Sequence, residues 1–236
     1  MPALHVFPIE GVPEVEPGDV LAELLVAAAR DQSTPIASRD CVVVTQKVVS
    51  KAEGRVVPMD AGDPHARQAL IASESVRVLR RRDELVISET HHGFVCANAG
   101  IDLSNVDDGH AALLPVDPDR SARRVRDGIR ALASVEVAVI VSDTFGRAWR
   151  VGLTDVAIGV AGLAAVVDLR GQVDALGREL QATEVALADE IAGAAELVKG
   201  KAANVPAVVV RGLDPAWFRE GSARELIRTP AEDLFR

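Results

Sequence analysis

Asp143 and Thr144 follow directly on the strongest apolar run of the chain, residues 135–142. A carboxylate beside a hydroxyl at the carboxyl end of a buried strand suits Mg²⁺ or Mn²⁺, which prefer oxygen donors and share them with phosphate. Asp102, with Ser104 and Asn105, makes a second oxygen-rich loop. Either loop can equally be a plain Asx turn, in which the carboxylate closes only its own backbone. Lys47 and Lys51 lie beyond the apolar run 41–45. If that segment stays extended, their even spacing puts both on one face, to meet a phosphate or to be solvated along an edge strand. Arg147 and Arg150 follow Asp143 and can hold an anion bidentately or form surface ion pairs. His91 and His92 are adjacent, so on a strand they point apart and do not share one metal.

The chain has neither G-x-x-x-x-G-K-[ST] nor G-x-G-x-x-G behind a strand, and Gly200 with Lys201 follows a helical pattern instead of opening one. G-x-S-x-G and H-E-x-x-H are also missing, so the common hydrolase and zinc-protease chemistries lack support. The 236 residues are 48% hydrophobic and 26% charged, enough to bury a core and exclude a disordered chain. Aromatic residues make up 3%, with no Tyr, so Val, Leu, Ile and Ala must build that core and base-stacking platforms are disfavoured. A formal net charge of −9 repels nucleic acid and anionic membrane, so an anionic ligand must be held by local cations, backbone amides or a metal. Cys41 and Cys96 lie in apolar segments without a C-x-x-C partner and read as reduced, buried thiols. No leader pattern opens the chain, and the longest apolar run, 156–167, is short of the ~20 residues of a membrane span. The expected location is cytoplasmic.

The elements that must position these residues follow from periodicity and punctuation. A strand is expected at 3–7, then a loop rich in Gly, Pro and Glu to Asp19, which caps a helix carrying Val20, Leu21, Leu24, Leu25 and Ala28 through Arg30. A buried strand at 41–45 runs into a polar extension, 46–54, that turns at Glu53 and Gly54. Residues 64–82 read as a helix, 84–88 and 94–97 as strands, 118–133 as a helix and 135–142 as a strand ending at Asp143. Arg77, Arg80, Arg81, Arg82 and the arginines between 120 and 130 read as solvated helix faces. Residues 154–169 read as buried strands in which Gly159 and Gly162 allow close backbone approach. A helix over 183–199 closed by Gly200, a strand at 207–210 and a short helix near 222–227 complete the chain. Helices and strands alternate irregularly, which favours an α/β or α+β domain with a mixed sheet over a doubly wound one. Residues 1–236 read as one domain without repeat or linker, and the sequence sets no internal boundary.

Several separated segments combine into a resemblance. Val43, Val44, Thr45, Gln46, Lys47, Val48, Val49, Ser50 and Lys51, with Glu53 and Gly54, then 100–105, 142–150, 154–162, Thr183 to Ala186 and Ala188 to Glu190, resemble the coenzyme F420-0:L-glutamate ligase family in order and over nearly the whole chain. The resemblance implies a mixed α/β fold in an intertwined homodimer. It further implies a GTP-dependent ligase requiring Mg²⁺ or Mn²⁺, two per site, with K⁺ as a further cation. The substrates would be L-glutamate and the deazaflavin F420-0, with later glutamates joined through γ-linkages. The implied route moves the γ-phosphoryl of GTP onto the substrate carboxylate, and the glutamate amine then displaces phosphate from the acyl phosphate.

By motif position, Asp102, Asp143 and Thr144 look like metal ligands and Arg147 like a substrate contact. Val12, Pro13, Glu14, Val15, Gln46, Lys51, Asn105, Lys199, Gly200 and Lys201 look like GTP contacts. Two positions depart from the pattern. Gln46 stands where relatives often carry a small hydroxyl residue, and Lys201 where archaeal relatives carry an oxygen-bearing side chain near the second metal, which leaves that metal's ligand set open. In mycobacterial-type relatives the same domain is fused to a C-terminal flavin-binding domain, and the chain ends at Phe235 and Arg236 near that junction. A stand-alone ligase, a nucleotide- or deazaflavin-binding domain needing a partner domain, and an amide ligase for another carboxylate are the alternatives.

Overall fold

The computed structural model describes residues 3–60, 62–104, 106–200 and 204–234. Along the chain the regular elements are β1 (His5–Ile9), α1 (Leu21–Asp31), β2 (Cys41–Thr45), α2 (Gln46–Ala52), β3 (Val56–Pro58), α3 (Pro64–Ser73), β4 (Ser75–Arg82), β5 (Leu85–Thr90) and β6 (Val95–Ala97). They continue with β7 (His110–Ala112), α4 (Pro118–Ala133), β8 (Ala138–Arg147), β9 (Arg150–Ala161), β10 (Val167–Asp168), β11 (Glu184–Val185), α5 (Leu187–Lys199) and β12 (Ala207–Arg211).

A five-stranded sheet in the order β1-β12-β2-β8-β9 carries the core. β2 and β8 are parallel and the other pairs antiparallel, as the irregular alternation of elements implied. Both faces of the central strands are covered, which is why Val42, Val43 and Val44 form an unbroken β-branched run. Val42 and Val44 face a cluster with Leu25 of α1, Val49 of α2 and Ile129 of α4. Cys41 and Val43 face a second cluster with Leu187, Ile191 and Ala195 of α5. Close packing of α4 on β9 requires Gly159, because a Cβ there would stand 2.3 Å from the carbonyl oxygen of Pro118. A three-stranded sheet, β4-β5-β6, and the pairs β3-β7 and β10-β11 sit beside this core.

β2 and α4 occur with the expected bounds. Elsewhere tertiary pairing overrode local pattern. Residues 46–52 are the helix α2, not an extension of β2, so Lys47 and Lys51 share a face through their four-residue spacing. The expected helix 64–82 stops at Ser73, and Ser75–Arg82 instead pairs with β5, placing Arg77, Arg80, Arg81 and Arg82 on a charged edge strand. β8 does not end at Ser142; it runs to Arg147 and pairs with β9. α5 begins at Leu187, residues 184 and 185 being taken by β11. Asp19 does not cap α1: its carboxylate accepts from the Glu16 amide, and Val20 is the N-cap. The C-terminal turn, Ala223–Leu226, is a 3₁₀ turn with a Ser222/Glu225 capping box. Cys41 and Cys96 are unpaired and buried. Among the described residues, no helix is long and apolar enough to cross a membrane.

Candidate active site

β2 ends at Thr45, opposite Ser142, and turns at once into α2, while β8 continues, paired with β9, beyond the end of its parallel neighbour. That divergence opens a cleft of about 810 Å³ at the carboxyl end of the parallel pair. Its walls come from the loop Val12, Pro13, Glu14 and Val15, from Gln46, Lys47 and Lys51 of α2, and from Cys96 and Ala97 of β6. Asp102 and Ser104 face it from the following loop, Asp143 and Thr144 from β8, and Lys199 and Gly200 from the end of α5.

On one side, Lys47 Nζ lies 2.9 Å from Asp102 Oδ2 and donates to Ser104 Oγ at 2.8 Å. The Ser104 amide and hydroxyl both donate to Asp102 Oδ1, at 2.7 and 2.8 Å. Asp102 therefore closes an Asx turn and also fronts the cleft. Burial opposes its ionisation, but the Ser104 amide, Lys47 and the Ser104 hydroxyl outweigh that and hold its carboxyl below the usual range. Lys51 pairs with Glu14 across the cleft mouth.

On the other side lies a buried network that the sequence pattern did not announce. Thr144 Oγ1 donates to Asp155 Oδ1 at 2.6 Å, and Ser142 Oγ donates to Asp155 Oδ2 at 3.0 Å. Lys199 Nζ lies 2.5 Å from the same Oδ2, 3.0 Å from Ser142 Oγ and 3.4 Å from Glu196 Oε2. Asp155 is 2% exposed and Lys199 5%. Neighbouring strand residues point to opposite faces, so Ser142 and Thr144 face α5 while Asp143 faces the β6 side. There burial, reinforced by Asp143, pushes the Cys96 thiol up to about 12. The adjacent carboxylate and hydroxyl thus do not form one bidentate pair, as their spacing invited, and each meets the cleft from its own face of β8.

The F420-0:Gamma-glutamyl ligase family matches residues 11–212. The chain is 41% identical to the Coenzyme F420:L-glutamate ligase of Methanothermobacter thermautotrophicus over 97% of both chains. It is equally 41% identical to the proteins of that name from Methanopyrus kandleri, over 100% of this chain and 99% of the relative, and from Archaeoglobus fulgidus, over 99% and 96%. The chain belongs to the F420-0:gamma-glutamyl ligase family.

Of the positions that the resemblance to this ligase family singled out, Val12, Pro13, Glu14, Val15, Gln46, Lys51, Asp102, Asp143, Thr144, Lys199 and Gly200 line the one cleft. Asn105 and Lys201 lie outside the described residues. Arg147 is not brought to the cleft; its Nη2 donates to the Val151 carbonyl at 3.1 Å within the β8–β9 hairpin. His92 stacks on Phe94 with ring centroids 5.5 Å apart and bonds the Pro115 carbonyl, a packed histidine whose burial lowers its pKa. His91 bonds the Ser73 carbonyl. Asp155 was detectable as the one acid inside the apolar stretch 153–161, but its partners are distant in sequence.

Among the described residues, no three His, Cys, Asp or Glu side chains converge on one point. The oxygen donors on offer are the Asp102 and Asp143 carboxylates and, from the other face of β8, the Thr144 hydroxyl, which fit hard divalent cations completed by water and phosphate oxygens. Gln46, 1% exposed, accepts from Ser50 Oγ through Oε1, while its Nε2 has no hydrogen-bond partner among the described residues. A buried donor left unmade costs about 1–3 kcal/mol, which a ligand acceptor in the cleft would recover.

Proposed function

We propose that the chain is a coenzyme F420:L-glutamate ligase that uses GTP and Mg²⁺ or Mn²⁺ and works through an acyl phosphate. The observation that carries this reading is the meeting of Asp102, Asp143 and Thr144 with three lysines, Lys47, Lys51 and Lys199, around one cleft in an otherwise acidic chain. Oxygen donors suit the cation and ammonium groups suit phosphate, so two anions can be held together despite the net charge.

The acceptor carboxylate oxygen attacks the γ-phosphorus of GTP, the bond to the β–γ bridging oxygen breaks, and GDP leaves. The glutamate amine then attacks the acyl carbon and loses a proton as phosphate departs. Such a transfer depends on positioning and on neutralising phosphoryl charge rather than on a protein nucleophile. Cations bound by Asp102 and Asp143 on one face of β8 and by Thr144 on the other would supply part of that neutralisation. Lys51 is available at low cost, because its partner Glu14 is exposed and such pairs are worth about 0–1 kcal/mol. Gln46 Nε2 offers a donor to the nucleotide.

A homodimer is part of the same proposal. Trp149 and Val151, at the tip of the β8–β9 hairpin, are 81% and 100% exposed, and Leu153 beside them is also exposed. An apolar tip of this kind is suited to burial against a second copy.

The test is mass spectrometry of F420-0 incubated with the protein, GTP, Mn²⁺ and L-glutamate, with Asp143→Asn as control. Addition of glutamyl residues, lost in the control, is the expected result. GDP release that requires a different carboxylate acceptor would replace the substrate assignment, and no GDP release with any acceptor would refute the ligase.

A further inference from the structure

We propose that Asp155 is a positioning residue, which takes the hydroxyl proton of Thr144 and so turns that oxygen's lone pairs toward the cation side of the cleft. The inference rests on the cleft being a divalent-cation site. A threonine hydroxyl has one proton and two acceptor lone pairs. If it donates into the protein, it presents only lone pairs to a ligand; if it accepts there, it presents its proton and repels a cation. At Thr144 the first arrangement holds, with Oγ1 donating to Asp155 Oδ1 at 2.6 Å.

Two features make Asp155 a dependable acceptor. Its other oxygen receives the Ser142 hydroxyl and the Lys199 ammonium, so that oxygen is already committed and Oδ1 is left to accept from Thr144. Its location is set by a bulge in β9. Before the bulge Val141 pairs with Gly159; after it Ser142 pairs with Ala157, and Thr144 stands opposite Asp155. Were Ile158 paired in the ladder instead of bulged out, the partner of Thr144 would be Val156, which has no acceptor to offer. Bulges beside active sites re-aim side chains in this way, and outer hydrogen bonds that orient a ligand typically affect metal affinity 10–100-fold.

Replacement of Asp155 by an amide gives a distinctive signature. In Asp155→Asn the Lys199 ammonium claims the amide oxygen, leaving the amide nitrogen to face Thr144. Thr144 must then accept, and its proton turns to the cleft. Removing the ammonium as well, in Asp155→Asn/Lys199→Met, releases the amide oxygen for Thr144. In Asp155→Leu/Lys199→Met position 155 offers no acceptor.

The measurement is Mn²⁺ titration of the full chain, followed by the electron paramagnetic resonance signal of free Mn²⁺, with a thermal melt on every variant. Asp155→Asn should bind Mn²⁺ about tenfold more weakly or worse. Asp155→Asn/Lys199→Met should recover to within a few-fold of Lys199→Met, and Asp155→Leu/Lys199→Met should stay weak. Recovery in Asp155→Asn/Lys199→Met but not in Asp155→Leu/Lys199→Met separates an acceptor at position 155 from relief of the stranded ammonium, which both double variants share. If the single variant fails to fold, because a buried ammonium has lost its charged partner, the two double variants make the same comparison with neither charge present. Equal affinity in both double variants would overturn the inference while leaving the cation site standing. A wild-type chain that binds no Mn²⁺ would overturn the reading of the cleft, and the inference with it.

Discussion

Lys47→Met should lower stability and tighten cation binding at once. Lys47 Nζ is 2.9 Å from Asp102 Oδ2 in a pair that is partly open to solvent. Pairs of this kind are worth about 1 kcal/mol at most. Methionine keeps most of the apolar stem, so the loss is about 1 kcal/mol, or about 2–4 °C in Tm for a chain of this size. A divalent cation at Asp102 must displace that same ammonium, so about 1 kcal/mol is returned to binding when the ammonium is gone. With 1.4 kcal/mol per tenfold, Mn²⁺ affinity rises about fivefold. Turnover should fall, because the displaced ammonium is then missing from the phosphate side of the cleft. Thermal melting, Mn²⁺ titration and a GDP-release assay on one preparation measure all three. Weaker Mn²⁺ binding in Lys47→Met would refute the competition argument and remove Asp102 from the cation site.

Gly159→Ala should destabilise the fold by about 1–3 kcal/mol, as overpacking does, because the new Cβ meets the Pro118 carbonyl oxygen and carbon at 2.3 and 2.5 Å and backbone must move; an unchanged Tm would show that α4 does not rest on β9 there. Asp102 has a native pKa below its unfolded value, so its contribution is fully present above the unfolded carboxylate value of about 3.9 and is lost as pH falls through the depressed one. The stability gap between wild type and Asp102→Asn should therefore shrink on acidification below about pH 4 in thermal melts, and a gap constant down to pH 2 would contradict the assignment. Trp149→Ser with Leu153→Ser should convert a dimer to monomer in sedimentation without lowering Tm by loss of core, since both side chains are exposed in the single chain; an unchanged sedimentation coefficient would exclude the hairpin tip as the contact.

How far the sequence was legible depended on the range of the deciding interaction. α4 could be bounded because its determinants lie within it: Asp117 caps it by accepting from the Arg120 amide, Pro118 opens it, and Ser134 closes it in the left-handed conformation. β2 could be bounded because a strand covered on both faces must be apolar throughout. Eleven of the cleft residues could be named because several short segments, each uninformative alone, resemble one family in order. Residues 75–82 carry no strand signal of their own because the strand exists only through pairing with β5, and residues 46–52 show no helical one because a helix of seven residues leaves little periodicity to see.

The faces of Asp143 and Thr144, the pairing of Lys47 with Asp102 across 55 positions of chain, and the burial of Lys199 against Asp155 were not legible at all. Residue types and local spacing are properties of the chain, and they specified which groups were available for chemistry. Which of those groups meet depends on strand register, and whether Ile158 of β9 is bulged or paired decides which side chain faces Thr144. Register is settled by the packing of the whole sheet against α4 and α5, and no local segment contains that information.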